Sequence, residues 1–84
     1  MPVIARFFGM IIKMFFIDAE HNPPHIHVVY GEYNATFDIL TGEMDVGDLP
    51  LKARELVKEW IGLHQVELIE MWNTQEFRQL PPLQ

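Results

Sequence analysis

The stretch His25-Ile-His-Val-Val-Tyr-Gly-Glu-Tyr-Asn-Ala-Thr-Phe-Asp-Ile-Leu40 decides the fold. Two runs rich in β-branched and aromatic residues flank Gly31-Glu32, and glycine at the first loop position suits a two-residue type II′ hairpin turn. A turn there sets Tyr30 against Tyr33, Val28 against Ala35 and Ile26 against Phe37, giving one continuous apolar face. The opposite face then pairs His25 with Asp38, His27 with Thr36 and Val29 with Asn34.

Towards the C-terminus, a tight turn at Thr41-Gly42 predicts a short strand from Glu43 to Val46. In that register Met44 faces Ile39, Val46 faces Phe37 and Asp45 faces Asp38. Asp48 is placed to cap a helix, with Pro50 tolerated in its first turn. Ala53, Leu56, Val57, Trp60, Ile61, His64, Leu68, Met71 and Trp72 then recur at three- and four-residue spacing, the stripe of an amphipathic helix. Gly62 is positioned to kink or divide it. From Arg78 onwards, with Pro81-Pro82, the chain reads as a loose tail.

Towards the N-terminus, Asp18 to Pro24 is a loop, because consecutive prolines cannot sit inside a central strand. Val3 to Ile17 reads as a hairpin turning at Gly9-Met10, with Phe8 opposite Ile11 and Arg6 opposite Lys13. Val3, Ala5 and Phe7 then share a buried face with Ile12, Met14 and Phe16. Strands followed by helix imply an α+β fold. The expectation is about five antiparallel strands, then one long or two shorter helices packed on the sheet. Residues 1–84 form a single domain, divided into a sheet (1–48), a helical part (49–77) and the tail (78–84).

Composition narrows the function classes. The chain has no cysteine, which rules out a disulfide framework, a thiolate nucleophile and cysteine-ligated zinc. Its net charge of −6 gains nothing from counterion release on phosphate, which argues against bulk nucleic-acid binding. The apolar run from Phe7 to Ile17 is too short to cross a bilayer, is broken by Lys13 and has no small-residue cleavage site after it. The reading is a soluble cytoplasmic protein.

The chemically pointed segment is His21-Asn-Pro-Pro-His-Ile-His27. His25 and His27 lie on one strand face, roughly 7 Å apart along the chain, close enough for two imidazoles to meet one ion. With His21 folding back they could hold a divalent transition metal such as zinc. His25, His27 and Asp38 form a candidate catalytic set: the histidines act as ligands with Asp38 as third ligand or, without metal, as acid and base with Asp38 orienting an imidazole. Arg6 and Lys13, facing each other, are candidates to hold an anion or phosphate. A hydrogen-bonded surface network accounts for the same histidines without chemistry. His64, on the apolar helix stripe, reads as a core histidine with one hydrogen bond.

Met1-Pro-Val-Ile-Ala-Arg-Phe-Phe-Gly-Met-Ile-Ile-Lys-Met-Phe-Phe16, His21-Asn-Pro-Pro-His-Ile-His-Val28, Leu49-Pro50 and a helix with Glu59-Trp60 resemble the small bacterial proteins of domain-of-unknown-function family 4160. The resemblance spans nearly the whole chain. It implies a bacterial, cytoplasmic protein with a small partner protein encoded by a neighbouring gene, a family 2442 domain, and carries over no catalytic residues. Two function classes follow. One is a binding module within a two-gene toxin–antitoxin-like pair acting by protein–protein contact, with a homodimer also open to it. The other is a small metal-dependent hydrolase or a ribonuclease built on the His21–His27 segment.

Overall fold

In the computed structural model, which describes residues 3–15 and 23–83, the central hairpin follows the sequence expectation pair for pair. Strands β3 (His25–Tyr30) and β4 (Tyr33–Asp38) run antiparallel, with Tyr30 opposite Tyr33, Ile26 opposite Phe37, His27 opposite Thr36 and His25 opposite Asp38. Gly31 takes a positive φ of 58° and the tyrosine rings stack across the turn. With β1 (Val3–Phe7), β2 (Met10–Lys13) and β5 (Met44–Gly47), they make one antiparallel sheet in the order β1-β2-β3-β4-β5. Helices α1 (Leu51–Leu63) and α2 (Gln65–Thr74) follow.

The first hairpin differs from expectation. Its turn residues are Phe8 and Gly9, both left-handed (φ 49° and 79°), so Phe7 faces Met10 and Arg6 faces Ile11. Arg6 and Lys13 therefore do not face each other. The change slides the partner strand by two residues, and an even slide leaves each side chain on its face. Ala5, Phe7, Ile12 and Met14 remain buried together, joined by Met10. A bulge between Val3 and Ala5 also brings Ile4 into the core. Phe16 lies outside the described residues.

The β4–β5 pairing is corrected as well. Met44 stands opposite Phe37, two positions from its expected partner Ile39, and a bulge between Thr36 and Phe37 then sets Val46 opposite Thr36. Asp45 becomes the extra, exposed residue and does not face Asp38. The turn from Ile39 to Gly42 is longer than the expected two residues and sets Glu43 beside Asp38, its carbonyl accepting from the Asp38 N–H (2.9 Å), which already moves Asp45 away from Asp38. Val46 is 64% exposed, on the sheet face away from the helices.

Asp48 does not cap α1. Its N–H donates to the Asn34 carbonyl, so it prolongs the sheet, and Pro50 occupies the helix N-cap with no side-chain bond. The helical stripe buries Ala53, Val57, Trp60, Ile61, Leu68, Met71 and Trp72. The division falls at His64 (φ −122°), two residues beyond Gly62. Gln65 pins that junction to the end of β4, its side-chain amide donating to the Ile39 and Leu40 carbonyls (2.9 and 3.0 Å).

Residues 78–83 have no regular structure, yet they are docked rather than loose. Leu80 and Leu83 are buried, the Leu80 N–H donates to the Ile4 carbonyl (2.8 Å), and the Trp60 indole N–H donates to the Pro81 carbonyl (2.9 Å). The tail thus shields part of the β1 edge. The helices lie against one sheet face, which carries Ala5, Met10, Ile12, Ile26, Val28, Ala35 and Phe37. The other face carries two rows fixed by register: Arg6-Ile11-Val29-Asn34 and Lys13-His27-Thr36-Val46.

Candidate functional site

The histidines sit at the start of β3. His27 has Lys13 on one side and Thr36 on the other. The Phe15 ring meets it edge-on, centroids 4.4 Å apart. The His25 ring lies 5.2 Å from that of His27 and 5.0 Å from Trp72 of α2, so it stands at the sheet rim between the helix layer and the outer face. Its Nδ1 is 3.0 Å from the Pro23 carbonyl oxygen. With Nδ1–H donating there, a neutral ring carries its lone pair on Nε2.

Burial, reinforced by the neighbouring His25 and Lys13, holds the His27 imidazole below its usual 6.5. At neutral pH the ring is therefore uncharged and able to accept a proton or ligate a metal. A shallow depression of about 150 Å³ opens beside it, lined by residues that include His27, Asn34, Thr36 and Val46. A larger cavity of about 320 Å³, bordered by Phe8, Met10, Tyr30 and Leu56, lies away from the histidines.

Asp38 stays opposite His25 in register, but its carboxylate builds the β4–β5 turn. Oδ1 accepts from the Leu40 and Thr41 N–H groups (2.7 and 3.3 Å). Arg6 is exposed across from Ile11, while Lys13 borders Val3 and His27. The two cations share a face without forming the facing clamp. His21 lies outside the described residues. Among the described residues, no group of three or more histidine or carboxylate side chains is placed to hold a metal ion. His25 and His27 would need a further ligand, and His21 is the candidate the sequence offers. His64 is structural as expected: it is largely buried, 3.0 Å from the Glu67 carboxylate, with its ring against Trp60.

Sequence reasoning missed three neighbours of the site. These are Trp72, which the spacing places on the apolar helix stripe, Phe15, and Lys13, which the expected hairpin sets against Arg6. The signal for Lys13 was available: antiparallel pairing of β2 with β3 brings it beside His27.

A family model described as Domain of unknown function (DUF4160) matches residues 9–73. The chain belongs to that family. The matched segment holds both histidines, Lys13, Thr36, Val46 and all but the last residue of α2, whereas β1 and the docked tail fall outside it. No curated protein and no solved structure matches the chain. Among the described residues, no helix is long and apolar enough to cross a membrane.

Proposed function

We propose that the chain is a binding module of the bacterial cytoplasm, one member of a two-gene toxin–antitoxin-like pair, acting by protein–protein contact through the sheet face that its helices leave uncovered. That face is the observation behind the reading. It carries Ile11, Val29 and Phe15, all only half-buried, beside Val46 at 64% exposure. Ile11 and Val29 adjoin across β2 and β3, while Lys13, His27 and Thr36 stand between them and Phe15 and Val46, a mix of apolar and polar groups of the kind that meets another protein. Affinity capture with the full chain in its native host should retain a small protein encoded next to it. Val29→Lys, which sets a charge in the middle of the face, should lose it. Retention that Val29→Lys leaves unchanged, or no retained protein at all, would sink the reading.

His27 supports a second reading, an acid–base or metal site for a small hydrolase or ribonuclease. Its imidazole is held neutral beside His25 and Lys13, which suits a general base or a ligand such as one for zinc. Induction of the wild-type chain should then arrest growth, and the His25→Ala, His27→Ala pair should relieve it. Metal analysis of tag-free protein separates the two versions. A harmless wild type removes the toxic-enzyme reading.

A further inference from the structure

We infer that the cavity between the turn end of the sheet and the start of α1 binds a small aromatic acid, its ring filling the pocket and its carboxylate meeting Lys52. This site is separate from the uncovered sheet face and does not depend on the reading of that face.

The cavity holds about 320 Å³, and its lining includes Phe8, Met10, Tyr30, Ala53 and Leu56, with Lys52 the only charged residue among the lining residues. Ligand pockets run from roughly 300 to 1,000 Å³, so this one suits a single ring system with a short substituent. Its place follows from the register. Tyr30 ends β3, at the far end of that strand from His25, and alternation sets it on the helix-facing side with Ile26 and Val28. The Phe8-Gly9 turn lies at the same end of the sheet, since Ile11 pairs with Val29. The Tyr30 ring is held from two directions. It stacks on Tyr33 with centroids 6.3 Å apart, and a side chain at Gly9 would meet it at 3.3 Å. Phenylalanine, tyrosine and methionine around one space favour an aromatic guest, through ring edges and a polarizable sulfur.

Two residues on this cavity stand against their own local preference. Phe8 holds a φ of 49°, costly for a bulky side chain, at a turn position that asparagine or glycine fills without strain. Its ring gains little burial in return, being 56% exposed. Lys52 sits in the first turn of α1, where a cation opposes the helix dipole and no acidic residue offsets it. Among the described residues Lys52 forms no ion pair. Neither placement stabilises the fold, and both residues border the same space. Departures of this kind collect at ligand sites. A pocket with apolar walls and one positive charge rejects a cation and selects an aromatic guest with one negative charge.

Nitrogen-15 NMR titration of the full chain with indole-3-acetate tests this, beside its neutral amide, indole-3-acetamide, and its cationic counterpart, tryptamine. A guest of this size should bind with a Kd of about 0.1–1 mM. Indole-3-acetate should shift the amides of Phe8, Met10, Ala53 and Leu56 saturably, and bind about fivefold tighter than tryptamine, with the amide between them. Phe8→Asn should raise the urea midpoint yet weaken binding of indole-3-acetate about fivefold. Lys52→Glu should leave the urea midpoint no lower and abolish or invert the preference for the anion. Weaker binding by a protein that is no less stable cannot come from misfolding. No saturable shift up to about 5 mM overturns the inference, as do shifts confined to the uncovered sheet face. Tryptamine binding as tightly as indole-3-acetate overturns it too, as does full affinity in Phe8→Asn or an unchanged anion preference in Lys52→Glu.

Discussion

The β1–β2 and β3–β4 hairpins each turn on a glycine, yet they use it in different places. At β3–β4 the glycine comes first: Gly31 takes φ 58° and Glu32 stays outside the left-handed region. At β1–β2 it comes second, and Phe8 ahead of it is forced to φ 49°, a conformation that is costly for a bulky side chain. The flanks differ too. Six unbroken pairs hold the central hairpin, whereas a bulge interrupts the outer one. The outer hairpin draws extra support from the tail, through the Leu80 N–H on the Ile4 carbonyl. One hairpin is closed by its own ladder; the other is closed partly by a segment some seventy residues away in sequence.

That contrast can be broken most severely at the centre. Phe37, 1% exposed and opposite Ile26, belongs to the self-sufficient hairpin. Phe37→Ala should cost about 3–5 kcal/mol, read as a global loss in urea unfolding. Leu80→Ala should cost about 2–3 kcal/mol, and hydrogen exchange should quicken at β1 amides before those of β3. An equal quickening in both hairpins would mean that the tail supports the whole sheet. A smaller, opposite effect is expected at the turns. Phe8→Asn places a residue that tolerates the left-handed region before Gly9 and should stabilise by roughly 0.5–1 kcal/mol. Glu32→Asn, at a turn position with ordinary backbone, should stay within about 0.5 kcal/mol.

The smallest effect is one of pH. The folded His27 has its pKa below 6.5, so between that lowered value and 6.5 the unfolded chain takes up a proton that the folded chain does not. Stability from this group is complete above 6.5 and declines as pH falls through that window. His27→Gln should flatten the slope there, checked by urea midpoints across mildly acidic pH.

The central hairpin was legible because two constraints agreed. Glycine at the first turn position and the Tyr30-Tyr33, Val28-Ala35 and Ile26-Phe37 matches select the same register. The first hairpin offered no such agreement, since apolar residues surround Gly9 on both sides and a turn at Phe8-Gly9 buries an equally apolar face. The β5 register was missed for two other reasons: the turn spans Ile39 to Gly42 instead of two residues, and a bulge then inserts Asp45 without a sequence mark. The docked tail was hidden by Pro81-Pro82, which break regular structure but do not prevent Leu80 and Leu83 from packing. At the site, the pairing of His25 and His27 with Asp38 and Thr36 was readable. The contacts of Phe15 and Trp72 with those rings arise only when separate elements meet.

The indole of Trp60 makes the closure of the β1 edge optically visible. It is wholly buried, and its N–H is tied to the Pro81 carbonyl, so the chromophore senses the tail directly. Any event that lifts the tail admits water to that ring and shifts its emission to longer wavelength. The domain therefore carries an intrinsic fluorescent gauge of whether its C-terminal strap is seated.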